Sequence, residues 1–216
     1  MTEINFIITL AWPEGMVISA GAWYDGVAST NGKYRVGHSA MLLVNGTTNR
    51  VHYFDFGRYH TPEGYGRVRD IETDPDTYII DPKIINGEIE NIKDILLHLS
   101  EMKSTHGEGK LYASIISNVD FNRAFDVAKN MQNKGLLRYG PFVRTGTNCS
   151  RFAAKVIKAS GIPLIKKIRL KYPFCISPSP KRNVSIINNN YYLVEAAKCT
   201  EIKKSKLKAY FTSIEI

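Results

Sequence analysis

No apolar run in the sequence reaches the ~18 residues that a membrane-spanning helix needs. The N-terminus, MTEINFIITLAWPEG, lacks the positive charge of a secretion signal. Glu3 stands in its place, and the apolar run ends early at Pro13. Cysteine is scarce. Cys149, Cys175 and Cys199 are odd in number and lack metal-ligand spacing. That argues against a disulfide framework and against a thiolate metal site, so a reducing cytoplasmic setting is expected and no cofactor or metal is expected. Repeats and low-complexity blocks are absent too, and 216 residues suit a single domain spanning 1–216. Acidic residues are scarce in the last stretch. Residues 151–216 hold 3 Asp+Glu against 14 Lys+Arg, a net of +11, while the rest of the chain nets −2. The basic residues are mostly Lys and no nucleic-acid motif accompanies them, so nucleic acid is not expected as a partner. A solvated lysine-rich face is the plain reading of the basic segment 164–216, and binding of an anionic ligand is the functional one.

What is present reads as a mixture of hairpin strands and helices. Phe6–Leu10 is strand-like. Residues 12–32, rich in Gly, Trp, Tyr and Ser, read as a long loop. Lys33–Val44 reads as a strand, NGTTNR as a turn, and Val51–Phe56 as the return strand of a hairpin. Residues 57–80 form a second long excursion with room for a strand. Helical spacing recurs over Asn91–Met102, and Asp120 caps a helix that runs to about Asn133 before Gly135. Between these helices Leu111–Ser117 reads as a strand. Beyond residue 164 the strand-like runs are Ser185–Ile187 with Tyr191–Val194, and Ala209–Ile214. The expected class is α+β, an antiparallel sheet with packed helices.

The stretch TGTNCSRFAAKVIKASGIP carries the chemistry. Thr147 or Asn148 caps a helix that Gly161 and Pro163 end. Cys149, Phe152, Ala153, Val156 and Ile157 recur at i, i+3, i+4, i+7 and i+8, one buried face. A first-turn thiol faces unpaired backbone N–H groups and the positive end of the helix dipole, and both favour thiolate. The competing reading is a buried cysteine chosen for its size.

A cysteine nucleophile needs a base, usually histidine. Five are available: His38, His52, His60, His98 and His106. On the first hairpin strand His38 shares a face with Ala40, Leu42 and Val44. A turn of even length pairs even positions with odd ones, and so places His38 on the face of Val51, Tyr53 and Asp55. With a four-residue turn at 45–48, Asp55 lies directly opposite His38. Asp55 then orients the imidazole and stabilises its cation. A turn of odd length exchanges Asp55 for His52, which is the reserve third member. Gly37 before His38 fits close approach of another backbone. Trp12, Trp23 and Tyr24 form a substrate wall or close a core edge. Tyr59, Tyr65, Arg67 and Arg69 receive an anionic or peptide substrate or decorate a solvated loop.

A strand carrying GHSA, a neighbouring strand with a polar third group in VHYFDF, and a later NC opening an amphipathic helix resemble the circularly permuted papain-like cysteine hydrolases. This is the permuted branch of the NlpC-like superfamily, which includes lecithin:retinol acyltransferase-like enzymes and bacterial relatives. The resemblance covers roughly residues 33–56 and 141–162. It implies a permuted papain-like fold with Cys149 as nucleophile, His38 as base and Asp55, or in reserve His52, as third member. In the acyltransferase-like branch the third member is usually His, and a membrane-anchoring helix often follows the nucleophile. Asp55 and the absence of such a helix point instead to a bacterial-type hydrolase. The implied activity is an amidase or peptidase acting on a peptide-like or acyl substrate. The alternatives are an acyltransferase or thioesterase on the same fold, and an inactive basic binding module.

Overall fold

The computed structural model of the protein describes residues 4–18, 33–35, 37–141, 143–171 and 179–205. Its centre is β1 (Phe6–Trp12), FIITLAW, buried at every position. A strand covered on both faces needs such a continuous apolar run. Strands β4 (His38–Asn45) and β9 (Leu111–Ser117) flank it. Beyond β4 come β5 (Arg50–Gly57), β6 (Tyr65–Arg69) and β10 (Leu137–Arg138). On the other side lie β11 (Asn190–Glu195) and β12 (Lys198–Lys203). The order of this eight-stranded sheet is β10-β6-β5-β4-β1-β9-β11-β12, and every pairing in it is antiparallel. Two ribbons stand apart: β2 (Met16–Ile18) with β3 (Lys33–Arg35), and β7 (Ile84–Ile85) with β8 (Glu88–Ile89).

Helices cover both faces. Against α1 (Ile92–Glu101) pack Ile8, Leu10, Ala40, Leu42, Val44 and Tyr53. The opposite face carries Ile7, Met41, Leu43, Phe54 and Phe56. It packs on α2 (Phe121–Gln132) and α3 (Cys149–Ala159). Two further helices, α4 (Leu164–Lys171) and α5 (Pro180–Ile187), complete this layer. Asp120 caps α2 by accepting the Arg123 N–H at 3.0 Å, and Asn148 caps α3 by accepting the Arg151 N–H at 2.8 Å. Cys149, Phe152, Ala153, Val156 and Ile157 are all buried, as their helical spacing requires.

Three expectations change. Lys33–Val44 is two strands, because Gly37 breaks the run with a positive φ of 63°. A Cβ there would lie 2.4 Å from the Trp12 carbonyl oxygen, so only glycine admits this approach. The hairpin turn spans residues 46–49, one residue later than expected. Asn45 pairs with Arg50, and its side chain accepts the Thr47 and Thr48 N–H groups at 2.9 and 3.1 Å. Residues 57–80 contain β6, the strand for which that excursion left room. Ser185–Ile187 is helical, since Ser179 caps α5 and Pro180 occupies its first turn. Trp23, Tyr24, Cys175 and Ala209–Ile214 lie outside the described residues. Among the described residues no helix is long and apolar enough to cross a membrane.

Candidate active site

His38 is the first residue of β4 and lies directly opposite Trp12 of β1. The two rings stack with centroids 5.9 Å apart and planes 28° from parallel. Trp12 is buried, so it closes a core edge and backs the imidazole. Asp55 of β5 pairs with Ala40, one pleat along from His38, because the turn starts one residue late. The parity of the pairing is unchanged, so both side chains still share a face. The diagonal reach is short enough for His38 Nε2 to contact Asp55 Oδ2 at 3.0 Å.

Asp55 has no solvent exposure. A buried carboxylate is tolerated only when its oxygens are fully bonded, and here five contacts do this. Besides His38, Tyr53 and Tyr59 donate their hydroxyls to Oδ2 at 2.9 and 2.8 Å. Arg69 donates Nε to Oδ1 at 3.1 Å and a terminal nitrogen to Oδ2 at 2.7 Å. Arg69 stands directly opposite Asp55 across β5–β6. Its guanidinium lies 3.4 Å from the Tyr59 ring centroid and also donates to the Ser104 carbonyl at 2.9 Å. Gly57 makes room for that ring: a Cβ there would sit 2.4 Å from it. Burial works against the ionised carboxyl. The bonds and charges of His38 and Arg69 outweigh it and hold Asp55 well below the usual carboxylate range.

Cys149 opens α3. That helix packs on the face of Met41 and Leu43, whereas the His38 row packs under α1. Cys149 and His38 therefore come from opposite faces of β4 and meet where the strand begins. The sulfur has Ser150 Oγ at 3.9 Å, and the His38 ring and the Ser39 backbone act on it electrostatically. Because Nε2 contacts Asp55 and, at 3.3 Å, the Tyr59 hydroxyl, Nδ1 is the ring nitrogen left for the thiol. Burial favours the neutral thiol, but the hydrogen bond and charge of His38 prevail and the Cys149 pKa is lowered. Burial likewise opposes the imidazolium. Asp55 and Cys149 reverse that and raise His38 from 6.5 to about 9. Both shifts favour the thiolate–imidazolium form of the pair over the neutral form.

His38 borders a cleft of about 900 Å³ whose walls include Gly57, Tyr59, His60, His106 and Tyr139. His52 is elsewhere. It faces the α2 layer, with its ring centroid 5.7 Å from Phe121 and 5.0 Å from Phe125. Arg67 is not offered to a ligand, because both its terminal nitrogens bond Asp74 at 2.6 and 2.7 Å. Arg69 and Tyr59 turn inward to Asp55. Sequence reasoning missed that role. The alternation in YGRVRD was the available signal for a strand aiming Arg69 at Asp55. Among the described residues no group of three or more His, Cys, Asp or Glu side chains is arranged to hold a metal ion.

The crystal structure of the type VI secretion system effector TseH is similar over 94% of this chain and 100% of that chain, with a TM-score of 0.65 at 16% identity. At that identity the likeness shows a shared fold: the α+β antiparallel sheet with packed helices. No curated protein matches. Residues 7–162 match the family described as type VI secretion system effector TseH-like, a span that includes His38, Asp55 and Cys149. With most of its length inside that match, the chain belongs to the TseH-like family of type VI secretion system effectors.

Proposed function

We propose that the protein is a cysteine-dependent hydrolase of amide or ester bonds, of amidase or peptidase type, on a permuted papain-like arrangement in which the base precedes the nucleophile. The observation that carries this reading is His38 bonded to the buried Asp55 and electrostatically coupled to Cys149, with the imidazole bordering an open cleft. The Cys149 thiolate attacks the substrate carbonyl carbon, and the carbonyl electron pair moves to oxygen. The Cys149 backbone N–H, at the first helical position and without an intrahelical acceptor, donates to that oxyanion. Collapse of the intermediate expels the leaving amine or alkoxide, which takes the proton from His38 Nδ1. The product is a thioester on Cys149. Water then gives its proton to His38 and attacks the thioester, releasing the carboxylic acid and restoring thiolate and imidazolium. Throughout, Asp55 stays ionised and holds the ring through Nε2.

Incubation with p-nitrophenyl acetate, followed by intact-mass measurement and peptide mapping, tests this. The expected result is release of nitrophenol with one acetyl group on Cys149, absent in Cys149→Ala and strongly slowed in His38→Ala. Acetylation at other positions with undiminished release in Cys149→Ala would refute the reading.

A further inference from the structure

A second cavity, of about 450 Å³, lies along α3, and His38 is not among its lining residues. Cations from separate parts of the chain wall it: Lys134 after α2, Arg144 in the loop before α3, Lys155 and Lys158 on α3, and Lys171 at the end of α4. No Asp or Glu side chain lines it. Other cations of the protein meet carboxylates: Lys129 bonds Asp70 and Glu72, Arg67 bonds Asp74, and Lys110 bonds Glu195. Lys134, Arg144, Lys155 and Lys158 form no such ion pair among the described residues. Arg151 supplies one wall and spends its guanidinium on the carbonyls of Gly140, Pro141 and Val143, which leaves its charge unneutralised.

Like charges around a concavity repel one another. Lys158 shows the effect: burial first, then Lys171 and Lys155, lower its pKa. The same arrangement focuses a positive potential that a bound anion relieves. The volume falls within the range of small-ligand pockets. Lysine ammonium groups bind phosphate as point charges, and the Arg144 guanidinium in the same wall suits phosphate geometry. We propose that this cavity binds a phosphate-bearing polyanion, presented either by a soluble phosphate ester or by a lipid headgroup. Its basic walls give the lysine-rich part of the chain a specific task. Binding here is independent of the chemistry at Cys149.

The test uses the full chain at constant ionic strength, titrated calorimetrically with tripolyphosphate, and in parallel sedimented with phosphatidylglycerol and phosphatidylcholine vesicles. The variant K134E/K155E replaces two exposed cavity lysines. K198E/K203E, on β12, makes the same change in net charge elsewhere. Saturable binding of tripolyphosphate, weakened at least about tenfold by K134E/K155E and within about twofold of wild type in K198E/K203E, is the expected result. The same variant dependence on phosphatidylglycerol vesicles assigns the phosphate to a lipid headgroup, and its restriction to tripolyphosphate assigns a soluble one. Equal weakening by both double variants, or no saturable binding of either probe, overturns the proposal.

Discussion

Asp55 acts both as a structural anchor and as the group that sets the proton affinity of His38. Replacing it by Ala leaves the buried Arg69 guanidinium without its carboxylate, so a loss of roughly 3–5 kcal/mol in stability is expected by denaturant titration. Asp55→Asn keeps the shape and removes the charge. In that variant the His38 pKa falls from about 9 toward its ordinary 6.5, which an NMR titration of the ring reads directly. A pKa that stays near 9 would show that Cys149 alone raises it. The His38–Asp55 pair was legible in the sequence because strand alternation is insensitive to where an even-length turn starts: a shift of one residue moved the partner and kept the face. Arg69 and Tyr59 were not legible as Asp55 ligands. Their segment looks like a Gly- and Pro-rich excursion, and only the sheet pairing of β6 shows where the side chains point.

At the scale of elements, the start of β4 positions the site. Gly37 lets the chain turn under the Trp12 carbonyl, so that His38 arrives opposite Trp12 and beside the N-terminus of α3. Gly37→Ala introduces a non-glycine residue at a φ of 63° and a 2.4 Å contact with backbone. A destabilisation of about 1–3 kcal/mol is expected from the conformation alone, with slower acylation of Cys149 than in wild type at equal folded fraction. A variant as stable and as reactive as wild type would remove Gly37 from the account. Helices α1, α2 and α3 were legible because an Asx residue precedes an apolar stripe of period 3.6 in each. Helix α5 was hidden by the β-branched run in VSII, while the decisive signal, Ser179–Pro180, lies upstream of it. Lys33–Val44 passed for one strand because a single glycine barely disturbs an alternating pattern.

For the whole molecule, the site links folding to pH in two opposed ways. His38 has a folded pKa of about 9, above its ordinary 6.5, so its contribution is complete below pH 6.5 and disappears as pH rises through 9. Asp55 is depressed below its ordinary 3.8, so its contribution is present above that value and is lost as pH falls beneath it. The stability gap between wild type and His38→Gln is therefore expected to be widest between about pH 4 and 6.5 and to close by about pH 10, as followed by urea titration across pH. A gap independent of pH would mean that His38 contributes packing alone. The two-sided burial of β1 and the eight-strand order are properties of the assembled sheet. Its individual hairpins were readable locally, whereas the pairing of β9 with β11 joins residues about eighty positions apart and leaves no local trace.

The most direct test of the central claim is the rate of Cys149 alkylation by iodoacetamide as a function of pH, in wild type and in His38→Ala, with Cys199 as internal reference. The account predicts a Cys149 that is already reactive near pH 6.5. His38→Ala is predicted to be about a hundredfold slower at that pH and to recover only as pH approaches the ordinary thiol range. Superimposable profiles in the two proteins, or a Cys149 no faster than Cys199, would contradict it.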